Sequence, residues 1–217
     1  IFSMVKEETG SYWANHFSTI GLIGANEACR NMFGKDITDE ESKAWVKEIM
    51  QYLLEKTKQF NSETGHLYNL EATPGEGCCY SLAQKALKKY PNCAVQGSGD
   101  DAYFTNSTHL PVDKTGDVFE ILEHQEELQV MYTGGTTINF FLGQSINGSQ
   151  AKMLVKRIAE TYKIPYFTLS PTFSVCNTDG FIEGEHEKCP KCGEQTEVYT
   201  RIVGYFSGVS LWNKGKL

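Results

Sequence analysis

Two short cysteine-bearing turns constrain this chain more than any other feature. Cys176-Asn177-Thr178-Asp179-Gly180 and Cys189-Pro190-Lys191-Cys192-Gly193 each carry a metal-ligand residue type at the first and fourth positions and a glycine at the fifth. A four-residue knuckle of this kind aims two side chains at one ion while its backbone amides face the first sulfur. The glycine that follows supplies the left-handed residue such a turn requires. Two knuckles provide the four donors of a closed tetrahedral zinc site. Three of the donors are thiols. By the symmetry of the two halves the fourth is Asp179, with His186, three residues before Cys189, as the competing ligand. A site without an open position is structural, so the expected zinc holds a fold and performs no chemistry.

The remaining composition narrows the class. Seven cysteines are an odd number in a 217-residue chain, which does not suit a small secreted disulfide scaffold. A reducing cytoplasm is the expected setting, with Cys29, Cys78, Cys79 and Cys93 as ordinary buried thiols. A formal net charge of −7 argues against a nucleic-acid surface, which needs a basic excess. No apolar run approaches the roughly 20 residues that span a bilayer. The opening Ile1-Phe2-Ser3-Met4 has no signal-peptide layout and reads as the middle of a longer polypeptide.

The pattern of elements predicts an α/β architecture. Thr38-Asp39-Glu40-Glu41 has the form of a capping box, opening a helix to about residue 59 with Val46, Ile49, Met50, Leu53 and Leu54 on one face. A strand is expected at 66–72, ended by Thr73-Pro74-Gly75, then a helix at 79–89. Further helices are expected at 116–127 and 149–162, and strands at 129–132, 165–169 and 197–205. Short connections between alternating strands and helices imply parallel pairing. Nucleotide phosphates favour amides at glycine turns and helix N-termini, so three turns are candidate contacts: Thr73 before a helix, Gly134-Gly135-Thr136 after a strand, and Ser170 with Thr172 after a strand.

Arg201-Ile202-Val203-Gly204-Tyr205 is a weak signal by itself and reads as a strand with a glycine bulge. Its setting gives it weight. The Cys-x-x-Cys-Gly ribbon precedes it, and Trp212-Asn213-Lys214-Gly215-Lys216 follows. Together these segments resemble the anaerobic (class III) ribonucleoside-triphosphate reductases, a glycyl-radical enzyme family. The likeness extends through Phe17 to Ala28, Asn69-Leu70-Glu71-Ala72-Thr73-Pro74, Thr105-Asn106-Ser107-Thr108 and Tyr132-Thr133-Gly134-Gly135-Thr136.

The resemblance implies the C-terminal part of a ten-stranded α/β barrel over residues 1–172, a zinc ribbon over 173–196, and a glycyl-radical strand, loop and tail over 197–217. It implies a stored radical on Gly204, generated by an activating enzyme with an iron–sulfur cluster and S-adenosylmethionine. Only glycine lets a backbone α-carbon flatten without a clashing β-carbon. The implied substrate is a ribonucleoside triphosphate, and the implied assembly is a homodimer of the full enzyme. The family's thiyl cysteine belongs upstream, and no cysteine here carries its motif, so an upstream portion or partner chain must supply it. The reductant, formate or a small thiol protein, is also set upstream. Two alternatives stay open: a spare-part subunit lending its glycyl-radical tail to a damaged partner, and another glycyl-radical enzyme of the pyruvate formate-lyase type.

Overall fold

The computed structural model of the chain describes residues 2–142, 146–201 and 206–212. Helix α1 (Ser3–Thr9) ends at Gly10 and leads to strand β1 (Phe17–Gly21). Helix α2 (Ala25–Phe33) and helix α3 (Glu40–Thr64) then return the chain to strand β2 (Leu67–Glu71), which pairs parallel to β1. Helix α4 (Glu76–Lys89) and a long irregular stretch precede helix α5 (Val118–Gln129). Strand β3 (Ile138–Leu142), helix α6 (Gly148–Thr161) and strand β4 (Phe167–Pro171) form a second parallel unit. The chain closes with an antiparallel sheet of β5 (Phe173–Cys176), β6 (Gly180–Glu183), β7 (Thr196–Arg201) and β8 (Phe206–Gly208), in the order β6-β5-β7-β8. The α/β class and the parallel pairing are as expected. Residues expected as ribbon and as tail share this last sheet, joined through the β5·β7 ladder.

The long helix α3 shows how local chemistry fixes an element. Its N-cap is Asp39, whose carboxylate accepts from Ser42 N at 3.3 Å. The expected cap, Thr38, instead gives its hydroxyl to the Asp36 carboxylate. Asp at N-cap binds an early amide as well as Thr does, so the helix starts one residue later than the capping-box pattern suggests. No breaker intervenes after residue 59, and the helix runs on to Gly65, whose left-handed backbone (φ +70°) ends it. Val46 and Met50 are buried against Leu70, Cys29, Ile37 and Leu128 in the larger of the cores. A second core joins Leu122, Ile138, Phe140 and Ile158.

The strand expected at 129–132 is absent. Gln129 ends α5, Val130 continues in helical conformation, and Met131 and Tyr132 close turns onto Leu128 and Gln129. The apolar run there packs inward from a helix end, and the true strand is β3, nine residues on from Gln129. Thus Gly134-Gly135-Thr136 follows a helix. This loop lies along β2: Thr133 N and Gly134 N donate to Leu70 O, and Ala72 N donates to Gly135 O. A Cβ at Gly134 would stand 3.1 Å from Leu70 O, so a side chain there would crowd the β2 backbone.

Beneath the N-terminus of α2 sits a carboxylate with almost no exposure. Glu27 is 1% exposed. Its Oε1 accepts from Asn26 Nδ2 (2.8 Å), Gln96 Nε2 (2.8 Å) and Thr105 Oγ1 (2.7 Å), and its Oε2 accepts from Thr105 N (2.9 Å). The hub ties α2 to the irregular stretch after α4. Of the four thiols expected to be buried, Cys29 and Cys79 are, and burial pushes the Cys29 thiol up to about 11. Cys78 is exposed, because α4 turns its 78 position outward beside the buried Cys79, and Cys93, in the loop after α4, is half-buried.

Candidate metal centre and cavity

β5 delivers Cys176 into a turn that ends at Gly180 (φ +75°), and β6 leads away from it. The second turn runs from Cys189 to Gly193 (φ +76°), with Gly193 N on Cys189 O at 2.9 Å and Lys191 N on Cys189 Sγ at 3.4 Å. Both knuckles have the amide and glycine geometry expected of them. The donor atoms of Cys176, Asp179, Cys189 and Cys192 all lie within 4.8 Å of one another. Cys176 Sγ is 3.5 Å from Cys192 Sγ; Asp179 Oδ2 is 3.1 Å from Cys189 Sγ and 4.0 Å from Cys176 Sγ. Zinc at about 2.3 Å from sulfur and 2.0 Å from oxygen sets tetrahedron edges of about 3.8 Å and 3.5 Å. The donor set therefore fits a tetrahedral dication in both chemistry and size. His186 points elsewhere: its Nε2 lies 3.0 Å from Glu183 O and its backbone N donates to Ser174 Oγ.

The electrostatics of the four donors are those of a site with too much negative charge. The Asp179 backbone amide holds the Cys176 thiol below its ordinary value. Hydrogen bonds from Cys192 and Cys189 hold the Asp179 carboxyl down, while the same carboxylate pushes the Cys192 thiol up to about 12. Four acceptors in one small volume compete for protons, and a dication would satisfy all of them together. Glu194 braces the rim by accepting from Thr178 Oγ1 at 2.7 Å.

A cavity of about 680 Å³ lies between the parallel units, with walls that include Thr73, Asn106, His109, Phe140, Arg201 and Trp212. Thr73 is held there by close packing: a Cβ at Gly21 would overlap its hydroxyl. Arg201, at the end of β7, donates from Nε to Ser170 Oγ at 3.0 Å and stacks over Phe206 at 5.2 Å. Of the six residues expected to meet substrate, Thr73 is in the cavity wall. The structure does not bring the others there. Gly134 and Gly135 back onto β2, and Thr136 Oγ1 donates to Gln129 Oε1. Ser170 is fully buried and engaged by Arg201, and Thr172 links β4 to β5. Gly204 lies outside the described residues. The cavity residues that sequence reading did not single out, His109 above all, carry no local signal, because the wall gathers positions from 72 to 212.

Comparison with known proteins agrees with this geometry. A family model for anaerobic ribonucleoside-triphosphate reductase matches residues 1–217. Curated relatives of that name include those of Haemophilus influenzae, 26% identical over 215 residues covering 91% of this chain and 29% of the relative, and of Escherichia coli, 26% identical over 214 residues with the same coverage. The enterobacteria phage T4 enzyme is 26% identical over 199 residues, covering 86% of this chain and 30% of its own. Among solved structures, the Thermotoga maritima anaerobic ribonucleotide reductase with dATP bound in the specificity site superposes with a TM-score of 0.73 at 26% identity, covering 94% of this chain and 34% of that one. The same enzyme with MES in the active site gives 0.74 at 24% identity, covering 95% and 36%, a likeness of fold. The chain thus spans 29% of the length of the bacterial relatives it matches. With its whole length inside the family match, the chain belongs to the anaerobic ribonucleoside-triphosphate reductase family.

Proposed function

We propose that this chain is the radical-bearing C-terminal portion of an oxidoreductase that converts ribonucleoside triphosphates to deoxyribonucleotides. The observation that carries the reading is the full-length family match, joined to a four-donor cluster immediately upstream of Arg201-Ile202-Val203-Gly204-Tyr205. Gly204 is the radical store. An activating protein with an iron–sulfur cluster and S-adenosylmethionine removes one hydrogen atom from its α-carbon. A cysteine supplied by the remainder of the enzyme then returns a hydrogen atom to Gly204 and becomes the thiyl that takes a hydrogen from the ribose. The barrel in which this occurs is completed by the upstream portion, and the full enzyme is a homodimer in the cytoplasm.

Cys176, Asp179, Cys189 and Cys192 hold a structural zinc; when bound it supplies only charge balance and cross-linking. Asp179 is the fourth ligand, supported by its place within the cluster and by the engagement of His186 with Glu183. Thr73, at the turn before α4, meets the nucleotide at the cavity wall. Among the described residues no helix is long and apolar enough to cross a membrane.

Anaerobic activation of the complete enzyme should give a doublet electron-spin signal that Gly204→Ala abolishes, and air should then cut the chain at Gly204. Absence of the signal in activated wild-type enzyme would overturn the reading. Zinc near one per chain is the accompanying expectation.

A further inference from the structure

His109 faces the cavity with a ring that the protein does not use. Its backbone amide closes a turn onto Asn106 O at 3.0 Å, but neither ring nitrogen has a hydrogen-bond partner among the described residues. His109 is half-buried and lines the cavity. Burial drives its pKa down to about 4, so at neutral pH it presents one N–H donor and one bare nitrogen acceptor. Two polar atoms of the same walls are buried without partners: Thr137 Oγ1 and Trp212 Nε1. Buried polar atoms are almost always paired, so these two, beside an imidazole ring without a partner, point to a ligand in the cavity that pairs them.

The kind of ligand follows from the rest of the lining. Val118, Ile121, Ile138 and Phe140 make much of the wall apolar. The ionisable groups that share the cavity are Asp101, Tyr103 and Arg201, and the Tyr103 phenol is itself pushed up by burial. A neutral imidazole amid apolar side chains suits hydroxyl, carbonyl or amino groups, and is a poor partner for a phosphate. We propose that His109 is a substrate-binding residue that engages the uncharged part of the nucleotide, its ribose or base, with Thr137 and Trp212 as neighbouring contacts. The assignment rests on the cavity being the nucleotide site.

The test uses the complete enzyme, anaerobically, with CTP as the probe. His109→Phe keeps the ring volume and removes both nitrogens; His109→Gln restores an uncharged donor and acceptor. Equilibrium titration should show CTP binding weakened by roughly fivefold to tenfold in His109→Phe, the worth of one neutral hydrogen bond. Binding should return to within about threefold of wild type in His109→Gln. The loss should appear in KM with kcat less affected, and the wild-type affinity attributable to this ring should be flat between pH 6 and 8. In ring-labelled wild-type protein, CTP should shift the His109 nitrogen resonances. Wild-type affinity retained in His109→Phe, or ring resonances unmoved by CTP that binds, would overturn the assignment. Should His109→Phe misfold, His109→Gln and the ring resonances decide. If wild-type enzyme binds no ribonucleoside triphosphate, the reading of the cavity fails first and this assignment with it.

Discussion

Replacing Glu27 by Gln removes one charge and exchanges one oxygen for an amide while preserving shape. The four donors around Glu27 leave little room for that exchange. Oε1 accepts three of the four, so the amide oxygen of Gln would have to occupy that corner. The NH2 group then faces Thr105 N, donor against donor, in a fully enclosed site. Leaving that backbone amide unpaired costs about 1–3 kcal/mol. The three remaining bonds lose their charge assistance, a few tenths to about 1 kcal/mol each. Glu27 also lies in the first turn of α2, where the macrodipole favours negative charge by about 0.3–1 kcal/mol. The expected loss is therefore about 3–5 kcal/mol, with the lower end reached if local packing relaxes. Urea denaturation followed by circular dichroism should show a midpoint lowered by about 1–2 M with an unchanged slope. Thr105→Val removes only one of the four donors and should cost about 1 kcal/mol. A Glu27→Gln loss below about 1 kcal/mol would refute the claim that these four hydrogen bonds hold the hub together.

The remaining expectations concern the cluster, the surface and the cavity wall. Asp179→Ala should weaken metal retention against a competing chelator by more than the roughly 10–100-fold that outer-shell partners are worth, while His186→Ala should leave it near wild type; the reverse ranking would make His186 the ligand. Burial raises the Asp36 carboxyl, but the Lys114 ammonium at 2.6 Å and the Thr38 donors outweigh it and hold it at about 2. A depressed carboxylate contributes stability above its usual value of 3.8 that is lost as pH falls toward 2. After allowance for solvent screening, this pair should supply about 1 kcal/mol, and Lys114→Met should flatten the acid limb of the stability curve accordingly. Gly21→Ala would drive a methyl into Thr73, costing about 1–3 kcal/mol and displacing a cavity-wall residue; an unchanged melting midpoint and an unchanged KM for CTP would contradict the packing described.

Local chemistry was the part of this molecule that could be read in advance. The knuckles are contained within 176–193, so their turns follow from the spacing of Cys and Gly. Helices α3, α4 and α6 were legible from apolar faces and from breakers such as Gly65 and Pro91. The strand expected at 129–132 fails because Gln129-Val130-Met131-Tyr132 is a short apolar run, and such a run fits a helix end as well as a strand. The thiol at 78 was misplaced because burial was read from residue type alone, whereas Cys78 and Cys79 are adjacent on α4 and do not share a face. Of the cavity wall, Thr73 was the one substrate contact legible beforehand. Thr73, His109 and Trp212 meet only through tertiary packing, and a histidine within Thr108-His109-Leu110 looks like any other loop residue.

Strand β7 is held on both flanks. One ladder pairs Thr196 with Cys176 at the edge of the cluster, and the other pairs Arg201 with Phe206 beyond the segment that contains Gly204. Side chains alternate across a sheet, so a slip of one residue in either ladder would carry Phe206 from the face it shares with Phe173 and Tyr199 to the opposite one. The four clustered side chains at one corner, Cys176, Asp179, Cys189 and Cys192, therefore act as a timing mark for the strands. Their loss need not open the sheet; it would let the strands settle out of phase, with backbone hydrogen bonds counted in full and every ring on the wrong side. Such a protein would keep its far-ultraviolet spectrum and lose its aromatic near-ultraviolet signal, and Arg201 would arrive displaced from the cavity it now borders.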